Sequence, residues 1–170
     1  MLFRSRLLGY SGWIDYQFKL PAASHRAYWE AADAAIKVTS PTSSAGLDQV
    51  LESFWKQALT GKDQLRQRLT FALSEVFVVS TVDGSVAEQP RGVANWLDLL
   101  NTNGTGTYRS LLEAVSLNPM MGLYLTSLHN QKADATTGRV PDENYAREVM
   151  QLFSIGLVQL NLDGTPAQTG

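Results

Sequence analysis

Along most of this chain apolar residues return every three or four positions, the spacing that places them on one side of an α-helix. In "GWIDYQFKL" Trp13, Ile14 and Phe18 keep that spacing, with Ser11 as a candidate N-cap and Pro21 closing the segment. A second helix is expected after Ser24, through "HRAYWEAADAAIK". Residues 38–46, "VTSPTSSAG", read as a linker from their Ser, Thr and Pro content. The next stretch sets Leu47, Val50, Leu51, Phe54, Trp55 and Ala58 on one face and offers Gly61 as a stop.

The following pattern, "DQLRQRLTFALSEVFVVS", carries a stripe of Leu65, Leu69, Ala72, Leu73, Val76 and Phe77. Phe71 and Val78 project from the other side, which predicts a central helix covered by protein on both faces. Helical spacing resumes in "RGVANWLDLLN" and in "YRSLLEAVSL", where Thr107 is a possible cap. It continues in "NPMMGLYLTSLHN", whose Asn118 and Pro119 suit an N-cap followed by the first helical position. Residues 130–140 read as a long polar loop, and "ENYAREVMQ" as an amphipathic helix. In "LVQLNLDGTPAQTG" apolar and polar residues alternate before Asp163-Gly164, which predicts a strand entering a hairpin turn. The expectation is an all-α domain over residues 1–170, a bundle of seven or eight helices, ending in a short β-hairpin arm over 157–170.

Composition narrows the function classes. With 44% apolar residues the 170-residue chain can bury a real core. A net charge of -2 supplies no global field for nucleic acid. The absence of cysteine removes disulfides, thiolate nucleophiles and thiolate-bound zinc. No stretch approaches the roughly 20 apolar residues of a spanning helix, and the first residues lack the apolar run of a secretory signal. No GxSxG, P-loop or GxGxxG is present, and no motif implies a cofactor.

The candidate chemistry is confined to a few polar groups. On the helix of "ENYAREVMQ", Glu143 precedes Arg147 by four residues and Asn144 stands likewise to Glu148, the spacing of side-chain pairs on one helix face. The structural reading is an ion-paired face, and the functional one is Arg147 clamping an anion or orienting a carboxylate base. Glu75, flanked by Phe71, Val76, Val78 and Val79, is expected to be buried and therefore to need a cation, with Arg68 or Arg147 as its partner. His129, Asp134 and Asp142 border the polar loop and could be drawn as a metal site, but HExxH and EF-hand spacings are missing. A histidine at a helix C-terminus is favourable for the helix dipole alone. Trp13, Trp29, Trp55 and Trp96 fall at core spacing.

Three long segments resemble a known family: "SFWKQALTGKDQLRQRLTFALSEVFVVS", "LNPMMGLYLTSLHNQKADATTGRVPDENYAREVMQLFSIGLVQLNLDGTP" and, more loosely, "LLGYSGWIDYQFKLPAASH". They look like the bacterial family called domain of unknown function 1800, in the right order and over nearly the whole chain. The resemblance implies a large, mostly helical protein, commonly exported, often encoded beside uncharacterised sulfatase-like proteins, with no catalytic residues to carry over. It implies that this chain corresponds to an amino-terminal part of such a domain. The expected role is a structural or protein-interaction module of the cell envelope, whose partner is another protein or the remaining carboxy-terminal portion. The alternative is an enzyme, for instance a hydrolase, with its site shared with that portion.

Overall fold

The computed structural model describes residues 2–167, with side chains from Arg6 onward. Among these residues it is mainly helical and contains no sheet. The helices are α1 (Leu2–Lys19), α2 (His25–Thr39), α3 (Leu47–Thr60), α4 (Gln64–Val76), α5 (Gly84–Ala87), α6 (Pro90–Asn103), α7 (Tyr108–Ser116), α8 (Pro119–Tyr124) and α9 (Asn144–Gln151). Nine helices are found among the described residues against the seven or eight expected, and the extra one is the one-turn helix α5.

Local chemistry fixes the starts. Ser24 caps α2 by accepting from Ala27 N at 3.0 Å, Thr107 caps α7 through Ser110 N, and Asn118 caps α8 through Met120 N, ahead of Pro119. Gly46, which has no capping side chain, instead donates its backbone N–H to Gln49 Oε1 at 2.7 Å. Helix α1 begins at Leu2 but is interrupted at Gly9, whose φ of 68° and ψ of 176° belong to a region open essentially to glycine, so a second helical segment begins close to the expected start at Ser11.

The centre of the bundle is α6, not α4. Helix α6 touches α2, α3, α4, α5, α7 and α8. Its Val93, Ala94, Trp96 and Leu100 are buried, and Phe77, Leu111, Val115, Met121 and Phe153 close around them. Helix α4 stops at Val76; Phe77 then turns inward and packs against Tyr108 and Phe153.

The expectation that α4 is covered on both sides is overturned. Its buried residues are Gln64, Gln67 and Thr70, while Phe71 is 52% exposed and Glu75 lies open to solvent. The helix docks by hydrogen bonds from these polar groups together with Leu73, which is only partly buried against the core. Trp55 is likewise not in the core but 59% exposed, edge-on to Phe54.

The terminal β-hairpin arm is also corrected. Leu160 and Pro166 form a single antiparallel bridge around a turn with Gly164 at φ 83°, and no strand develops among the described residues. The alternating side chains Leu157, Leu160 and Leu162 meet no neighbouring layer and stay exposed. A two-stranded ribbon without such a layer is marginal in water. Residues 168–170 of that arm lie outside the described residues.

Candidate functional site

A polar junction that the sequence pattern conceals joins α1, α2, α3, α4 and α6. Asp98, on α6, receives the first N–H groups of α2: His25 N donates to Oδ1 at 2.6 Å and Arg26 N to Oδ2 at 3.1 Å. Ser24 Oγ adds a third bond to Asp98 Oδ2, at 2.7 Å. A carboxylate at a helix N-terminus satisfies orphan donors and matches the dipole. Nearby, Asn101 donates to Ala23 O at 2.8 Å and accepts from Thr70 Oγ1, while Gln67 Nε2 and Ala23 N both donate to Asp63 Oδ2. Gln17 ties α1 in through Lys62 O and Leu65 N.

Inside this junction His25 Nδ1 is 3.0 Å from Ser53 Oγ, and both residues are fully buried. Burial lowers the His25 pKa, with the carboxylates of Asp98 and Asp63 pulling the other way. A Ser–His contact invites a catalytic reading, but here neither group is exposed to a substrate. The pair acts as a clamp between α2 and α3. Its sequence signal is faint, because Ser53, Asp98 and His25 are far apart along the chain.

The open surface has the reverse character. Between α3 and α4 lies a cleft of about 370 Å³ whose walls include Leu51, Phe54, Phe71, Val78 and Trp96, with Glu75 among them. A second cleft of about 250 Å³ shares Val78 and is bordered by Val76, Tyr124, Leu152, Phe153 and Glu148. The two form a band that holds large exposed apolar side chains from α3, from α4 and from the segment after α9. Bands of this kind on protein surfaces mark interaction sites.

The residues singled out in the sequence do not converge. Glu75 is exposed at the first cleft, not buried, and pairs with neither Arg68 nor Arg147. Arg147 pairs with its own helix neighbour Glu143 at 2.5 Å, on the solvent side. Glu148 departs from the expected polar face: it is half-buried, and its Oε2 is shielded from solvent with no hydrogen-bond partner among the described residues. Asn144 does not bond to Glu148: its side-chain Nδ2 donates to Thr126 Oγ1 at 3.5 Å, and its backbone N–H to Asp142 Oδ1 at 2.9 Å.

The proposed loop ligands serve local geometry. Asp142 accepts from the Thr126 hydroxyl and from Asn144 N, which hold its carboxyl below the usual range. Asn130 donates to Asp142 O and accepts from Asp142 N, clasping the two ends of the loop. Asp134 caps the loop tip through Thr136 N and Thr137 Oγ1, which lower its pKa. His129, at φ 65°, lies beyond the end of α8 and so does not complement that helix's dipole as expected. Among the described residues no three His, Asp or Glu side chains are grouped to hold a metal ion.

The family model described as "Protein of unknown function (DUF1800)" matches residues 3–165. The chain belongs to this family. No curated protein and no solved structure matches it. The DUF1800 match covers the polar junction, both clefts and the clasped loop together. No described helix of this DUF1800 chain is long and apolar enough to cross a membrane.

Proposed function

We propose that the chain is a helical protein-interaction module of the bacterial cell envelope, and that it engages its partner through the apolar band of α3 and α4. One observation carries the reading: Phe71, which lines an open cleft, and Trp55, edge-on to the cleft residue Phe54, are each more than half exposed. Burying such rings contributes about 25 cal/mol per Å² of apolar surface, so a partner that covers them gains substantially. The envelope location rests on the family resemblance and is tested by fractionating the cells that make the protein.

The band itself is tested by placing a photo-activated crosslinking residue at Leu51 or at Phe71 and illuminating living cells. Discrete protein adducts at these positions are expected, with none from an exposed position outside both clefts such as Thr136. No adduct at either position would overturn the reading.

A hydrolytic enzyme is the second reading, and the unpartnered inner oxygen of Glu148 at the smaller cleft favours it. A carboxylate so placed could accept a proton from water. This reading requires that Glu148→Gln remove an ester- or peptide-hydrolysing activity of the purified protein. Unchanged hydrolysis in the variant sinks it.

A further inference from the structure

The outer strip of α4 has a symmetry that the apolar band alone does not explain. Its exposed residues are Arg68, Phe71, Ala72, Glu75 and Val76. Arg68 and Glu75 are seven residues apart, which places them on one strip, about 20° apart around the axis and about 10 Å apart along it. Neither has an ion-pair or hydrogen-bond partner among the described residues. Their midpoint falls between Phe71 and Ala72, the one large and the other small.

We propose that the partner of this face is a second copy of the same chain, docked by antiparallel packing of α4 on α4 about a two-fold axis between Phe71 and Ala72. The inference rests on the reading of the band as an interaction surface and names its occupant. Under that axis position 68 of one copy faces position 75 of the other, so Arg68 meets Glu75 twice. An isologous interface requires this kind of self-complementarity. Ala72 lets the two backbones approach, and Phe71 packs beside it. An antiparallel dyad also brings α3 of one copy opposite α3 of the other, which covers Leu51 and Trp55 in the same contact.

The alternative occupant, an apolar ligand such as an acyl chain, fits the strip poorly. It would remove water from a guanidinium and a carboxylate while giving neither a partner, which is unfavourable for both. A second copy satisfies each with the other.

The test uses charge reversal in the full chain, read by sedimentation equilibrium. The wild type is expected to be a dimer. Arg68→Glu and Glu75→Arg each place like charges opposite one another twice, and each should raise the dimer dissociation constant about tenfold or more. Both residues are exposed and unpartnered, so the variants keep their helical circular dichroism. In a mixture, the Arg68→Glu chain is acidic at both positions and the Glu75→Arg chain basic at both. Opposite charges then meet at each contact across the dyad, and the mixed dimer should form as the wild type does. A strictly monomeric wild type overturns the proposal. So does a wild-type dimer that both reversals leave intact, or a mixture that stays monomeric. Crosslinks in cells from Leu51 or Phe71 to other proteins, alongside a monomeric chain, would sink the self-pairing while leaving the interaction module standing.

Discussion

The two sides of α4 invert the usual distribution. Its buried residues are Gln64, Gln67 and Thr70, beside a partly buried Leu73, while Phe71 and Val76 point outward. The inner groups are tolerated because each has a fixed partner: Gln64 Nε2 donates to Gln57 O and Gly61 O, Gln67 to Asp63, and Thr70 to Asn101. A buried polar group without such a partner costs about 1–3 kcal/mol, and with one it fixes the geometry of the contact. The outward Phe71 meets only one ring among the described residues, Phe54 at 6.3 Å, and stays half exposed. Burial here follows the availability of partners, not hydrophobicity alone.

The sharpest way to break that contrast is Asp98→Ala. The change strands the N–H groups of His25 and Arg26 at a half-buried helix start and should lower the unfolding free energy by about 3 kcal/mol in urea titrations. A loss below about 1 kcal/mol would mean that water replaces the carboxylate and that the junction does not hold α2.

Next comes pH. The folded pKa of His25 is lowered by burial, so the unfolded chain binds a proton more readily than the native one. Stability should be level above about pH 6.5 and fall as pH drops below it, by at most about 1.4 kcal/mol per unit. The depressed carboxyls of Asp83, Asp134, Asp142 and Asp163 act lower, below their ordinary value of 3.8. Melting His25→Gln beside the wild type between pH 7 and pH 5 isolates the imidazole. Equal slopes would remove His25 from the account.

A smaller effect is expected on the outer side. Phe71→Gln should change stability by less than about 1 kcal/mol, because the ring is half exposed and its chief aromatic neighbour is Phe54 at 6.3 Å. A larger loss in thermal unfolding that does not depend on protein concentration would show that the band belongs to the core. The smallest effect belongs to Arg147→Ala, which removes one exposed i,i+4 pair worth about 0.3–0.5 kcal/mol. Denaturation midpoints that differ markedly would imply a tertiary role for Arg147.

These regions also differ in how far the sequence reveals them. Helix starts at Ser24, Thr107 and Asn118 are legible because a cap and its target lie within three residues. Glu143 with Arg147 is legible for the same reason. The faces of α4 are not, because spacing assumes that apolar residues point inward, and the partners of Gln67, Thr70 and Asn101 are set by chain segments far away. Glu75 inherits that error: a carboxylate among valines reads as buried when its helix is assumed to be covered. The arm after α9 fails differently, since alternation specifies a strand only where another layer exists to receive one side of it.

The Asn130–Asp142 clasp has a consequence for engineering. Because paired backbone and amide bonds join the two ends of the loop, the path between them is insulated from the helices on either side. Lengthening a closed loop is cheap, about 0.6 kcal/mol for each doubling. The tip near Gly138 is thus a natural port for an inserted epitope or fluorescent reporter, one that would leave α8, α9 and both clefts in place.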